Sequence, residues 1–412
     1  MKIAIIGAGI SGMAAAKLLG KEHNVTVFER SVSAGGIARP RLVDGISYHL
    51  TGGHCFNSKY EEVRDFVFNE ILPLDNWHKV TRKAEIKYKD HLIPYPIEYS
   101  IREIHKHYPE IAEKIVDEFV SAGSSGDPKN LDEWFRATFG NTLAEEYFIP
   151  YNKKIWNNNP VDMSHTWVQD KLPIPDKSSF IAALFSDKKD KMPHAEFYYP
   201  NTNTTLSFIE ALAKGLSISY GCDITSIQSL PAGEGYLLNS EHHFDKIIST
   251  VPLNLLPTLL HNCDETVLDA AQKLKYNRVT TMLWESQSTD KTWTYIPSEN
   301  EIFHRYIHIG SFFKPRKNFT ITEAVGLVTE SEMIDCGSKD PFLMRPVDYH
   351  VSDHAYVIFD QNYHTSVRKI ISYMDEIGIH TLGRFGQWDY FNMDICIKEA
   401  MKLTKIIELE GK

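Results

Sequence analysis

The most constraining feature of this chain is its opening, where the apolar run Ile3-Ala4-Ile5-Ile6 passes directly into Gly7-Ala8-Gly9-Ile10-Ser11-Gly12 and then into helix-forming Met13-Ala14-Ala15-Ala16-Lys17-Leu18-Leu19. Strand, tight turn and helix follow in the order that a dinucleotide pyrophosphate requires. Gly7 permits the turn, Gly9 lets the backbone approach phosphate, and Gly12 lets the helix pack closely, with Ser11 in its first turn. A second strand, Val25-Thr26-Val27-Phe28, ends in Glu29, about twenty residues on, where a carboxylate can accept from ribose hydroxyls. A lone G-x-G-x-x-G is a weak signal; at residue 7 with Glu29 in register it becomes a strong one.

The residues after Glu29 separate nicotinamide from flavin. Arg30, then Ser33-Ala34-Gly35-Gly36-Ile37-Ala38-Arg39, resembles the extended signature of the amine-oxidase-like FAD proteins, in which a second glycine pair lies against the cofactor. The alternative is that Gly35-Gly36 merely forms a surface loop, since such pairs are common in loops.

With 412 residues the chain is long enough for two or three domains. Its formal net charge of −10 argues against nucleic acid as a partner. The five cysteines, Cys55, Cys222, Cys263, Cys336 and Cys396, show neither C-x-x-C spacing nor a disulfide framework. They suit a reduced cytoplasm. No apolar run approaches about 18 residues, so membrane insertion is not expected, nor is a metal site.

The expected fold is α/β: a Rossmann-like FAD-binding domain, an inserted α-helical domain and a mixed antiparallel β-sheet substrate domain. The FAD-binding domain is expected over 1–75, 196–260 and 361–412, the sheet domain over 76–97 and 261–360, and the helical insertion over 98–195. Residues 60–67 read as a helix, and 85–93 as a hairpin turning at Lys89-Asp90. Ser217–Tyr220, Asp223–Ile227 and Lys246–Pro252 read as strands, the last closing the cofactor sheet. Ile379–Thr381, Gly383-Arg384-Phe385-Gly386 and the helical pattern from Met393 form a glycine turn that can bring amides and a guanidinium toward a flavin.

Taken in order, several short motifs resemble the UDP-galactopyranose mutase family, within the amine-oxidase-like superfamily. Tyr48–Phe56, containing Gly53 and His54, is similar to its flavin-facing Gly-x-His loop, and Tyr88–Pro96 to its lysine hairpin. Asn130–Trp134 and Tyr151–Trp156 resemble its helical substrate domain, which implies that Tyr151 packs on the base and Trp156 lines the sugar pocket. Phe303-His304-Arg305-Tyr306 resembles the strand whose arginine holds the diphosphate, and Ala355–Ile358 the segment carrying Tyr356 near the phosphates. Gly383-Arg384 with Asn392-Met393-Asp394 matches the last flavin-contacting turn.

The resemblance implies an isomerase that interconverts pyranose and furanose forms of an NDP-sugar through an adduct at N5 of reduced flavin, for surface polysaccharide biosynthesis. It implies FAD kept reduced by a cellular reductant, an NDP-sugar substrate, and catalytic roles for His54 and Arg305. A homodimer is left open. Two stretches depart from the family: Asp170–Lys177 lacks the mobile-loop arginine, leaving Lys171 or Lys177 as point charges, and Tyr199–Thr205 replaces a glycine-rich turn. From the residues alone, Arg305 also fits a structural ion pair, His54 a satisfied loop histidine, and Tyr151 and Trp156 ordinary core packing. The competing readings are an amine-oxidase-like FAD oxidase or desaturase and a non-catalytic flavin scaffold.

Overall fold

The computed structural model describes residues 1–121, 127–168, 172, 174, 176–185 and 195–410. Strand β1 (Lys2–Ile6) is buried from Ile3 to Ile6, as expected of a parallel strand covered on both faces. It runs through the turn into helix α1 (Ile10–Leu19) and strand β2 (Asn24–Glu29). Five parallel strands form the sheet in the order Ile379–Thr381, Lys246–Ser249, β1, β2, Ile218–Tyr220. The segment before Thr250-Val251-Pro252 does join the cofactor sheet, pairing Ile5 with Ile248, but as an inner strand: Ile379–Thr381 pairs on its far side and forms the edge. α1 packs on the helices Leu206–Ala213 and Met393–Glu410, which cover one face.

A second sheet has seven strands in the order Leu343–Val357, Tyr276–Ser286, Phe319–Val325, Phe303–Ile307, Trp293–Tyr295, Ala84–Tyr88, His91–Pro94. Every pairing is antiparallel except that of Trp293–Tyr295 with Ala84–Tyr88, so the sheet is mixed, as expected. The expected hairpin turns at Lys89, whose φ of 52° is the left-handed conformation a tight turn needs. Helices Pro109–Ser121, Leu131–Phe139 and Ile149–Trp156 belong to the inserted helical unit, with Asn130 capping the second through its side chain.

Two local expectations are corrected. Asp223–Ile227 is not a strand; the strand is Ile227–Ser229, in a separate three-stranded sheet, and Ile224 is buried without strand pairing. Residues 60–67 are helical only in part as α: Glu61–Asp65 passes into π-helical turns over Phe66–Ile71.

Candidate active site

The glycine turn is shaped by close approach. Gly7 has φ of 103°, and a Cβ there would stand 2.1 Å from Thr250 Oγ1; a Cβ on Gly12 would stand 2.1 Å from the Gly7 carbonyl oxygen. Gly9, in contrast, has nothing within 4 Å of a built Cβ, and α1 begins after it with no side-chain cap. An open turn beneath uncapped amides at a helix start suits an anionic group. The second glycine pair wraps this turn: Gly35 donates its amide to the Ala8 carbonyl at 2.8 Å and bridges to Gly9, and a Cβ on Gly36 would lie 3.2 Å from Gly9 Cα. Gly35 is buried against the turn, while Gly36 stays exposed. Ile37 follows in the short turn Gly36–Ala38, while Arg30 is exposed.

Glu29 is nearly buried, and its carboxylate accepts from the amides of Ala8 at 2.7 Å and Ser31 at 2.9 Å. Its first task is to hold the turn, with acceptor capacity remaining on both oxygens. At the other end of the chain Gly383 closes on Ser11, where a Cβ would come within 2.4 Å of Oγ, so the last turn sits on the start of α1. Asp394 is buried in the first turn of Met393–Glu410.

The Gly52-Gly53-His54 turn is held from below. His49 is fully buried; its Nδ1 accepts the His54 amide at 2.9 Å and its Nε2 contacts Tyr199 Oη at 2.9 Å. Because Nδ1 accepts, a neutral ring carries its proton on Nε2 and donates to the phenol. Gly53 leaves room for Trp293 and Ile307, and Gly52 lies beside Arg305 Nη2. Burial pushes His54 down to about 4, helped by the charges of Arg384 and Arg305 and opposed by hydrogen bonds to the backbone of Ile37 and Thr51. His54 is thus neutral and lies among residues from three distant parts of the chain. Its Nε2 is buried without a hydrogen-bond partner among the described residues, as is Nε of Arg384.

Arg305 is not a free cation. Its Nε donates to the carboxylate of Glu323, which is fully buried and is its cross-strand partner, and Nη2 donates to Tyr356 Oη. Tyr356 in turn donates to Glu323 Oε1 at 3.3 Å. The ion-pair alternative for Arg305 is realised, with part of its side chain, 12%, still accessible. Beside it, Tyr356 stacks on Tyr390 at 5.7 Å, and the Arg384 guanidinium lies 4.4 Å from the Tyr390 ring centre and 5.3 Å from that of Tyr356. Arg384 Nη2 donates to the Ala355 carbonyl at 2.7 Å.

Trp156 meets Tyr356 and Tyr390 edge-on at 5.9 and 6.1 Å and donates Nε1 to Asn152 at 3.0 Å. Only 4% exposed, it backs the tyrosines as packing. Tyr151 remains partly exposed, stacked on Tyr147 at 5.5 Å and edge-on to Tyr295 at 5.9 Å. Burial raises its hydroxyl well above the usual tyrosine range.

The lysine expectations fare differently. Lys177 donates to the Val120 carbonyl at 2.7 Å near the end of Pro109–Ser121, so it ties two helices together on the exterior and is not brought to Arg305. Lys171 lies outside the described residues. In the Tyr199–Thr205 stretch, Asn203 adopts φ of 58°, the backbone role for which a glycine is otherwise used, and locks to Lys314 through its amide group. Sequence reasoning passed over Glu323, His49, Tyr199 and Tyr390. A signal existed for Glu323 alone: a lone carboxylate within the apolar strand Phe319–Val325 must be paired. A separate cleft of about 370 Å³, lined by Lys79, Lys83, Lys314 and Arg316 among others, contains none of the expected site residues.

Residues 5–69 match the model of an NAD(P)-binding Rossmann-like domain. The chain is similar to a dTDP-fucopyranose mutase of Escherichia coli, 27% identical over 185 residues, covering 42% of this chain and 46% of that one. It is also similar to a probable UDP-galactopyranose mutase of Klebsiella pneumoniae, 24% identical over 202 residues, covering 46% and 49%. The chain thus spans about half the length of the curated relatives it matches. Over its whole length it has the fold of the crystal structure of reduced UDP-galactopyranose mutase, with a TM-score of 0.86 at 22% identity, covering 100% of this chain and 94% of that one.

Proposed function

We propose that the chain is an FAD-dependent nucleotide-sugar mutase that interconverts pyranose and furanose forms of an NDP-hexose. The observation that carries the reading is the convergence of His54, Arg305 and Arg384, from three separate segments, on one aromatic-walled site beside the open Gly9 turn. The similarity to two sugar mutases supports it.

FAD fits the residues present. The Gly9 turn, the uncapped start of α1, Glu29 and the Gly35-Gly36 pair would hold the adenine dinucleotide part. His54 Nε2 and Arg384 Nε, buried and without a hydrogen-bond partner among the described residues, are polar atoms that a bound ligand would satisfy. When bound and reduced, the flavin supplies a nucleophilic nitrogen for the anomeric carbon.

The protein's share is positioning and electrostatics. Arg305 and Tyr356 would bind the diphosphate, with Glu323 fixing the guanidinium so that little ordering remains when the leaving group develops charge. His54, neutral between two arginines, offers a hydrogen bond to a sugar hydroxyl without adding charge. Tyr151 would pack on the base, presenting a ring already held by Tyr147. A cellular reductant keeps the flavin reduced, and the product feeds surface polysaccharide in the cytoplasm; among the described residues no helix is long and apolar enough to cross a membrane. We assign cofactor binding to 1–75, 196–260 and 361–412, and substrate binding to 76–97, 98–195 and 261–360.

The test is to incubate the FAD-loaded protein with UDP-galactopyranose and dTDP-fucopyranose, with and without anaerobic dithionite, and to separate products by chromatography. Furanose formed only under reduction is the expected result. Sustained oxygen consumption with an amine substrate and no furanose would sink the reading in favour of an oxidase.

A further inference from the structure

Arg82, in the link between the strands Trp77–Thr81 and Ala84–Tyr88, is built into the protein differently from Arg305. Its guanidinium lies 5.0 Å from the Trp293 ring centre and 5.3 Å from that of Tyr95, and Nη2 donates to Tyr295 Oη at 2.7 Å. Among the described residues Nε has no hydrogen-bond partner although it is buried, while the residue as a whole keeps partial exposure. Among the described residues, the ionisable groups that act on it most strongly are Tyr295, Tyr95 and the Cys55 thiol, with no carboxylate among these. Arg41, Arg136, Arg305 and Arg345, by comparison, each pair with Asp or Glu. A largely buried guanidinium without an anion is costly, and aromatic faces offset only part of that. Such a guanidinium is free to take the negative charge of a ligand.

The neighbours say where that ligand lies. Trp293 fills the space over Gly53, Cys55 directly follows His54, and Tyr295 meets both Tyr95 at 4.9 Å and the substrate-side Tyr151 at 5.9 Å. Arg82 therefore adjoins the Gly52–His54 turn, whereas Arg305 sits with Tyr356, which Trp156 and Tyr390 flank.

We propose that Arg82 is the counter-charge for the reduced, negatively charged isoalloxazine, and so biases the bound flavin toward its reduced form. The inference rests on the FAD reading above. Two electrons and one proton from an external reductant convert the neutral oxidised ring into an anion. A fixed cation in a low-dielectric site stabilises that product and not its precursor.

The full chain loaded with FAD is titrated anaerobically with dithionite against a redox dye, and the oxidised-to-reduced ratio is read at a fixed poise for wild type, Arg82→Gln and Arg82→Lys. Arg82→Gln is expected to raise the ratio by about tenfold, equivalent to about 30 mV for a two-electron couple. Arg82→Lys should stay near wild type, and UDP affinity should be unchanged in both. A ratio indifferent to Arg82→Gln overturns the proposal; so does a loss of UDP affinity at constant ratio, which would give the charge to the nucleotide. Should Arg82→Gln fail to retain flavin, the wild-type spectrum decides: reduced flavin must keep the absorbance of its anion across the neutral pH range, and a neutral reduced spectrum overturns the proposal. A wild-type chain that takes up no FAD at all removes the functional reading itself, an outcome distinct from a yellow protein that ignores Arg82.

Discussion

His49 Nδ1 accepts the backbone amide of His54 at 2.9 Å, so a fully buried imidazole five residues upstream sets the conformation of the turn that presents His54. Its other nitrogen is satisfied by Tyr199, on the strand Glu196–Pro200, which anchors the turn to a distant part of the chain. Replacing His49 by Leu leaves both partners unsatisfied in a buried place, which costs about 1–3 kcal/mol for each. Tyr199→Phe leaves only one buried group unpaired, the His49 Nε2–H, and should cost about 1–3 kcal/mol, roughly half as much. Denaturant unfolding measures both, and FAD affinity should fall with His49→Leu well before it falls with Tyr199→Phe. Equal stabilities for the two variants would show that the turn does not depend on His49.

The pair of Arg305 and Glu323 predicts strong non-additivity. Glu323 is fully buried, so Arg305→Met leaves an unpaired carboxylate and Glu323→Gln an unpaired guanidinium, each expected to cost about 3–5 kcal/mol. In the double variant neither charge remains, and the loss should fall short of the sum by about 1–3 kcal/mol. A double-mutant cycle by urea denaturation checks this; simple additivity would mean the two groups do not share one interaction. Arg305→Met should also weaken UDP binding, whereas Glu323→Gln should not abolish it.

Acid should unfold the apoprotein early. Burial, aided by Arg384, lowers His54 to about 4; burial likewise pushes His308, beside Lys291, to about 3, and holds His49 and His304 well below the histidine range. A folded value below the unfolded one means that the unfolded chain binds the extra proton. The contribution is fully present above the unfolded value near 6.5 and is lost as pH falls from there toward 4. For His54 alone the loss amounts to roughly 3 kcal/mol. Stability followed by urea unfolding from neutral pH downward should fall steeply, and His54→Asn should fall less steeply by about one proton. Parallel curves for the two proteins would show that His54 does not titrate between its folded and unfolded values. Apoprotein is the right sample because a bound anion would shift the same equilibrium.

How much of this was legible in the sequence depends on the distance over which each fact is encoded. The β1-turn-α1-β2 unit could be read because its glycines, its apolar runs and Glu29 lie within one short segment and each has a local cause. The Arg305–Glu323 pairing could not, since it depends on the cross-strand register between Phe303–Ile307 and Phe319–Val325, which no local pattern states. Lys177 is one of two lysines that the resemblance leaves available for the diphosphate, but resemblance fixes only position along the chain, and the helix it begins points it elsewhere. The strand expected at Asp223–Ile227 failed because Ile224 finds burial within a loop, where alternation carries no strand information. Trp156 and Tyr151 share a helix, yet one became packing and the other kept an accessible face, a division that only tertiary contact decides.

Gly9 and Gly12 have the same residue type, three positions apart, and predict opposite phenotypes. Gly12 carries the structural load: any Cβ there meets the Gly7 carbonyl oxygen at 2.1 Å and the Ile5 side chain at 3.3 Å, so Gly12→Val should lower the melting temperature of the apoprotein markedly. Gly9 has φ of −74° and open space around a Cβ, so Gly9→Val should leave the apoprotein as stable as wild type to within about 0.5 kcal/mol. The branched side chain would instead fill the volume in which a pyrophosphate must approach the uncapped amides of α1. FAD affinity, followed by flavin fluorescence on titration, should then fall by about 100-fold or more, equivalent to about 3 kcal/mol. A Gly9→Val protein that is stable and still binds FAD like wild type would mean that the phosphates lie somewhere other than this turn.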